Sequence, residues 1–271
     1  MLYEKPPTVP RVQERKVHIG SPNTLLLGCK GAGKTALILD YLSTLNQGSY
    51  LYIDGDDLRL RGILGDLDIE AFYRQKELQL LVIDNYPNSL ALPKGCNLLL
   101  SSYDLSLQVN GLETLHVDYL DFEEFIAFGR GSVSPEHVFN LFTNHGRHPG
   151  AVHLHDTPWL KYLQNQLRLS LGDANQFTLF RHIAKSQSKP LSLHRLYTQL
   201  KPRMKISKDT LYEAAALFER YGLVYFIPKW QAPKTPKKLF LRDFALKSAI
   251  TFEKDFLKRF ENIVLCELAK D

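Results

Sequence analysis

The chain has 271 residues, of which 44% are hydrophobic, and carries a formal net charge of +5 at pH 7. This length suffices for two modest domains, and the sequence has no apolar run of the roughly 18 residues that a membrane helix requires. Residues 1–7 contain no apolar core of a signal peptide, so we expect a cytoplasmic protein with no membrane partner. Three widely spaced cysteines exclude a cysteine zinc site and fit a reducing compartment.

The first predicted strand, 24–27, leads directly into a glycine-rich segment of sequence GCKGAGKT. This segment matches G-x-x-x-x-G-K-[ST], the pattern of a phosphate-binding P-loop, which requires a strand before it and a helix after it. Apolar residues at helical spacing predict that helix over 34–46. The candidate nucleotide-binding residues are Gly28, Cys29, Lys30, Gly31, Ala32, Gly33, Lys34 and Thr35.

Two of these side chains have separate expected roles. Lys34 is expected to reach the β- and γ-phosphate oxygens as a point charge, and Thr35 to place its hydroxyl oxygen on Mg²⁺. The predicted ligands are therefore ATP and Mg²⁺.

The second predicted strand, 50–54, ends in an acidic turn of sequence DGDD. Asp54 or Asp56 could face the γ-phosphate if this strand neighbours the nucleotide site in the sheet. A solvated acidic turn or a helix cap is the alternative interpretation.

A run over 78–83 that is apolar except at Gln79 ends in Asp84, which is typical of a buried parallel strand with a ligand-binding residue at its carboxyl end. We assign Asp84 to the Mg²⁺ shell, as in a Walker B element; the alternative is an aspartate that opens an ordinary turn. The next residue is Asn85, where many P-loop ATPases place a glutamate that polarises the attacking water. An amide cannot take a proton, although it can orient a water molecule, so turnover is expected to be slow rather than absent.

The predicted strand 96–101 runs into Ser102, a position suited to sensing the γ-phosphate or simply to ending a strand. Further predicted elements are helices at 68–77 and 121–129 and a strand at 113–117. This alternation of strands and helices predicts the α/β class, with a parallel P-loop NTPase sheet flanked by helices. Catalytic candidates are Lys34, Asp84, Asn85 and Ser102.

The C-terminal part of the chain is basic, since residues 171–271 hold 19 of the 34 Lys and Arg but 10 of the 29 Asp and Glu. Predicted helices at 177–186, 192–200 and 207–221 are followed by apolar strands at 223–227 and 238–241. Three helices and a two-stranded wing indicate a winged helix, a module that binds double-stranded DNA or protein partners. Possible nucleic-acid contacts are Arg203, Lys205, Lys208, Lys234, Lys237 and Lys238.

Several segments in this order carry a family resemblance. They are the P-loop, YIDGDD, LLLSS, LHVDYLDFEEFIAF, HGRHPG, KLFLRDFALKSAI and FENIVLCEL. The chain resembles a prokaryotic family of AAA-type ATPases, usually described only as ATP-binding proteins. In that family a PLSFxEF motif closes the ATPase core, which Asp118 to Phe125 resemble. Family members often continue into a restriction-endonuclease-like domain after a helix resembling Glu261 to Leu268. That domain is expected to be absent here, so the resemblance implies no phosphodiester cleavage.

The resemblance is incomplete at the γ-phosphate. The family's acidic pair is Asp84-Asn85 here, and a Gly-Arg appears as Gly111-Leu112, so Arg130 and Arg147 are the nearest candidates for neutralising phosphate charge. A nearby cluster can be interpreted as a metal site or as a surface loop joining the domains; we favour the loop. The cluster consists of His145, His148, His153, His155 and Asp156.

The expected domains are an N-terminal segment over 1–20, an ATPase core over 21–155, a helical connector over 156–175, a winged helix over 176–250 and a C-terminal helix over 251–271. The leading hypothesis is an ATPase or ATP-dependent switch whose nucleotide state positions the basic winged helix. The alternatives are a hydrolysis-deficient, nucleotide-sensing DNA- or protein-binding protein and a scaffold for an acidic protein. The oligomeric state stays open.

Overall fold

A computed structural model describes residues 15–88, 90–129, 134–154 and 156–269. They form two compact units that divide between Asp118 and Tyr119. The predicted N-terminal segment lies largely outside the described residues, as do Arg130 and His155. The described residues between 119 and 154, which were predicted to be part of the ATPase core, belong to the second unit.

The first unit is built on one parallel sheet with two α-helices among its described residues. Its strands are β1 (Thr24–Leu27), β2 (Tyr50–Asp54), β3 (Leu80–Asp84), β4 (Leu98–Ser102) and β5 (Glu113–His116), and its helices are α1 (Lys34–Ser43) and α2 (Ile69–Gln75). The strand order is β2-β3-β4-β1-β5, with every pairing parallel. All five strands and both helices were predicted from sequence to within a few residues.

The five strands differ in how deeply they are buried. Nearly every residue of the strands β1, β2, β3 and β4 is buried, as expected for parallel strands covered on both faces. Strand β5, at one edge of the sheet, is mostly exposed. Alternate residues of neighbouring strands form one apolar cluster, and each fully buried Leu or Ile contributes about 1.5–3 kcal/mol. The cluster includes Leu25, Leu27, Leu51, Ile53, Leu81, Ile83 and Leu100.

The second unit is mainly helical and contains a small antiparallel sheet. Its helices are α3 (Phe122–Phe128), α4 (Pro135–His145), α5 (Asp156–Leu171), α6 (Ala174–Ala184), α7 (Leu193–Leu200), α8 (Lys208–Arg220), α9 (Leu246–Ile250) and α10 (Phe256–Leu268), and its strands are β6 (Lys189–Leu191), β7 (Val224–Ile227) and β8 (Lys237–Leu241). The strand order is β6-β8-β7. Strand β6 was not predicted, because it has three residues and one of them is Pro190. Within the described ranges, no helix combines the length and the apolar character needed to cross a membrane.

A buried polar group lies in the second unit at the carboxylate of Asp243. This side chain is fully buried and accepts hydrogen bonds from the amides of Arg147 (3.0 Å) and Ala245 (2.8 Å). Its Oδ2 also lies 2.5 Å from Nδ1 of His148. Gly146 has φ 84°, and a Cβ atom there would lie 2.2 Å from Asp243 Oδ1, so glycine is needed on both counts.

These contacts correct two expectations. The prediction of a surface loop is wrong at Arg147 and His148, which are both 1% exposed because backbone and carboxylate partners satisfy their polar atoms. The guanidinium of Arg147 donates to the carbonyl oxygens of Tyr119, Leu120 and Arg242. Arg147 is thus occupied in holding the second unit together, and its suggested role at a phosphate is wrong for this arrangement.

Replacing Asp243 with alanine is expected to lower the free energy of unfolding by about 3–5 kcal/mol, because it leaves buried donors without their acceptor. Urea denaturation of the full chain measures this loss. Asp173→Ala is the matched control, since Asp173 caps α6 at an exposed position and should cost about 1 kcal/mol. Equal losses for the two variants would contradict the structural role of Asp243.

The contribution of the Asp243 carboxylate to the free energy of unfolding should depend on pH. Burial alone would raise the pKa of Asp243, but the hydrogen bond and charge of His148 and two backbone amides together hold it below its usual value. Its stabilising contribution is therefore complete above the ordinary aspartate pKa, about 4, and is lost as the pH falls through the lower native value. The difference in the free energy of unfolding between wild type and Asp243→Ala, measured by urea denaturation, should therefore shrink as the pH is lowered into this range.

Candidate functional site

The P-loop forms a tight turn between β1 and α1. The Gly28 amide donates to the carbonyl oxygen of Ser102 (3.1 Å), which ties the start of the loop to the end of β4. A Cβ atom at Gly28 would lie 2.0 Å from the carbonyl oxygen of Val117, so no larger residue fits there. Gly31 and Gly33 have φ values of 79° and 98°, which favour glycine strongly.

The N-terminus of α1 is suited to an anion. The N-cap is Gly33, and no side chain of the described residues caps the helix. The first-turn amides are therefore not satisfied by a side-chain cap, and together with the positive end of the helix dipole they suit an anion, as in phosphate-binding helices. This geometry fits the phosphates of a nucleotide.

Lys34 lies inside the loop and is 5% exposed. Its ammonium group donates to the carbonyl oxygens of Gly28 (2.7 Å) and Cys29 (3.0 Å). Burial lowers the pKa of Lys34 to about 8, although nearby acidic groups, including Asp84, oppose the change. The lysine is therefore poised for an anionic partner, because a phosphate would replace neutral carbonyls with negative charge.

Asp84 lies at the carboxyl end of β3 and is 1% exposed. Its Oδ2 accepts hydrogen bonds from the hydroxyl of Thr35 (2.6 Å) and from that of Tyr52 (3.0 Å). Its Oδ1 accepts from the hydroxyl of Ser101 and from the amide of Asn85 (3.1 Å). Asp84 and Thr35 were expected together from sequence, and the structure places them in direct contact.

The two residues expected to hold Mg²⁺ fit that ion. A threonine hydroxyl and a carboxylate are hard oxygen donors, and they meet beside the ammonium group that would contact the β- and γ-phosphates. Few protein ligands are needed, because Mg²⁺ usually keeps several waters and binds phosphate oxygens as well.

The end of β2 lies beside Asn85. Asp54 is the register partner of Asp84, and the side-chain amide of Asn85 donates to Asp54 Oδ1 (3.3 Å). Burial raises the pKa of Asp54, although hydrogen bonds from the Asp56 amide and from Asn85 oppose the rise. Asn85 has φ 54°, a left-handed conformation that asparagine tolerates better than most residues.

The other acidic candidate and the P-loop lysine at position 30 form a pair. Lys30 Nζ lies 3.0 Å from Asp56 Oδ2 and 4.7 Å from the centre of the Tyr103 ring. Asp56 therefore bridges the acidic turn to the P-loop, whereas Asp54 lies against Asn85. The structure thus distinguishes the two carboxylates that the sequence left as equal candidates.

Ser102 and Ser101 differ in their contacts. The hydroxyl of Ser102 accepts a hydrogen bond from the Asp104 amide (3.1 Å) at the start of the following turn, and the hydroxyl of Ser101 contacts Asp84. The sensor role proposed for Ser102 stays a prediction. Sequence reasoning missed Ser101 and Tyr52, and the only signal was a polar or phenolic residue within an otherwise apolar strand.

The proposed nucleic-acid contacts lie in the second unit. Arg203 and Lys205 are exposed just before α8, Lys208 is its first residue, and Lys234 and Lys237 are exposed on the β7–β8 segment. Lys238 is only partly exposed, and its ammonium group donates to Glu261. Among the described residues, no group of three His, Cys, Asp or Glu side chains could hold a metal ion, and His145 stacks on Trp159 instead.

No family model matches the sequence, and a search of curated proteins finds no match. A solved structure described as a Walker-type ATPase of Pyrococcus abyssi is similar, with a TM-score of 0.52 and 13% identity. The match covers 85% of this chain and 91% of that chain. At this identity the likeness concerns the fold alone. Together with the five-stranded parallel sheet, it shows that the chain has the α/β fold of P-loop NTPases.

The lowered pKa of Lys34 predicts a pH dependence of ATP binding. Phosphate binding favours the charged lysine, so ATP affinity should fall as the pH rises through about 8. Calorimetric titrations with ATP at pH values between 6.5 and 9.5, which lie on both sides of that pKa, would measure the affinity. In Lys34→Arg, whose guanidinium stays charged, any remaining affinity should be much less pH-dependent over the same range. A wild-type affinity that stays constant through pH 8 would contradict the assignment.

Proposed function

We propose that the protein binds Mg-ATP at the P-loop and hydrolyses it slowly, and that the nucleotide state sets the position of a basic winged helix in the second unit. One observation carries the nucleotide part of the proposal. The Thr35 hydroxyl contacts the Asp84 carboxylate at 2.6 Å, beside a buried Lys34 and an uncapped helix N-terminus. The AAA-type resemblance agrees with this proposal.

Each group has a distinct part in binding. The amides of residues 29–34 surround the β-phosphate, and Lys34 exchanges its two carbonyl partners for β- and γ-phosphate oxygens. Thr35 and Asp84 would hold Mg²⁺, which neutralises charge that develops on the phosphate oxygens.

For hydrolysis, we infer that Asn85 orients the attacking water and that Asp54 accepts its proton. Asp54 lies within hydrogen-bond distance of the Asn85 side-chain amide, and burial raises the pKa of Asp54, which makes its carboxylate a stronger base than that of an exposed aspartate. A carboxylate on the neighbouring strand thereby takes the role that a glutamate at position 85 would have.

Steady-state ATP turnover tests this assignment. Lys34→Ala should abolish both binding and turnover, and Asp54→Asn should lower kcat by about 10²–10⁴-fold while leaving Mg-ATP binding largely intact. Asp57→Asn is the matched control in the same acidic turn, because Asp57 pairs with Arg59 instead. Undiminished turnover in Asp54→Asn would exclude it as the base, and a wild type that does not bind ATP would refute the proposal.

The second candidate is a nucleotide-sensing DNA-binding protein that hydrolyses negligibly. Asn85 favours it, because the residue beside Asp84 has no proton-accepting group. The second unit favours it as well, since its chain order α6, β6, α7, α8, β7, β8, with the three strands in one sheet, is the order of a winged helix. Exposed basic side chains lie at the start of α8 and on the segment before β8.

Salt dependence separates DNA from an acidic protein partner. If the start of α8 contacts phosphates, log K for a 20-base-pair duplex should fall less steeply with log salt in the variants. The magnitude of the negative slope should decrease by about one in Lys205→Ala and by about one in Lys208→Ala. Lys254→Ala, an exposed lysine before α10, should leave the slope unchanged. Absence of duplex binding at low salt, or equal slopes for all variants, would reject this DNA surface and leave the acidic partner.

A further inference from the structure

Tyr52 is a buried phenol at the centre of β2. It is 3% exposed, and it lies on the same face of the strand as Tyr50 and Asp54, because alternate residues share a face. Its register partner on β3 is Val82, so the ring extends toward the carboxyl end of the sheet to reach Asp84 Oδ2 at 3.0 Å.

The two oxygens of Asp84 are held differently. Oδ1 accepts from Ser101 and from the amide of Asn85, whereas Oδ2 accepts from Thr35 and Tyr52. Thr35 is itself an expected ligand of Mg²⁺, so its hydroxyl would turn to the metal when the ion binds. Tyr52 is the Oδ2 donor that lies on a strand of the sheet. Its side chain has few rotatable bonds and its ring is buried, so its hydroxyl has a fixed position.

We propose that Tyr52 is a positioning residue for the Mg²⁺ site, and that its hydroxyl holds the Asp84 carboxylate in the orientation that receives the metal with its phosphate ligands. The inference rests on the proposed binding of Mg-ATP. Partners of this kind, which orient a metal-binding side chain without touching the metal, typically change metal affinity by about 10–100-fold when removed.

The ring and the hydroxyl of Tyr52 can be separated by mutation. Tyr52→Phe keeps the ring in the core and removes only the donor to Asp84. Tyr50→Phe removes a hydroxyl from the same face of the same strand, where the described contacts place no bond to Asp84. Comparison of the two variants therefore isolates the contact itself from the general effect of losing a buried hydroxyl.

The experiment measures the binding of methylanthraniloyl-ATP by fluorescence, first in EDTA and then as Mg²⁺ is titrated. In Tyr52→Phe, the half-saturating Mg²⁺ concentration should rise about tenfold, with the affinity in EDTA unchanged. Tyr50→Phe should match the wild type in both measurements. Thermal denaturation midpoints of both variants, measured without nucleotide, report any loss of folded structure.

The possible outcomes are distinct. If nucleotide binding by the wild type depends on Mg²⁺ and Tyr52→Phe has the same half-saturating Mg²⁺ concentration, the positioning role is overturned and the proposed function stays intact. Equal weakening of binding with and without Mg²⁺, with a lowered denaturation midpoint, assigns Tyr52 to the core alone and also overturns the inference. A wild type whose nucleotide binding does not depend on Mg²⁺ defeats the proposed function and this inference together.

Discussion

The buried carboxylate of Asp84 is the constraint on which the first unit depends. A charge removed from water must be satisfied by donors, and an unpaired one is costly enough to shift the fold or its protonation. Here the donors come from two strands, a turn and a helix: Tyr52 on β2, Ser101 on β4, Asn85 after β3 and Thr35 on α1. The strand order β2-β3-β4-β1 makes this convergence possible, because it places β3 between the strands that carry Tyr52 and Ser101.

The local features of this site could be predicted from the sequence, but its connections could not. The P-loop, its helix and Asp84 follow from glycine spacing and apolar periodicity, which act over a few residues. The contacts of Asp84 with Tyr52 and Ser101 join residues 32 and 17 positions apart. They depend on strand order and register, which periodicity does not specify. The same limit explains why Asp54 and Asp56 looked equivalent until the register placed Asp54 beside Asp84.

In the second unit, sequence reasoning failed where polar residues are buried. The segment around Arg147 and His148 has the composition of a loop, and a loop at the surface is the ordinary outcome. It is buried here because Asp243 and three backbone carbonyls satisfy its donors, and because the ring of His148 lies 4.1 Å from that of Tyr119. Composition records how polar a segment is, whereas burial depends on whether partners from distant segments reach it.

The left-handed backbone at Asn85 limits how this site could change. A glutamate there would have to adopt the same φ of 54°, which costs an L-residue with a Cβ atom about 1–2 kcal/mol, and Glu77 has a similar φ of 52° elsewhere in this chain. The same turn constrains position 55, since a Cβ atom on Gly55 would lie 2.3 Å from the carbonyl oxygen of Asn85. A single substitution at position 85 therefore costs little backbone energy, whereas any side chain at position 55 would require the turn to move.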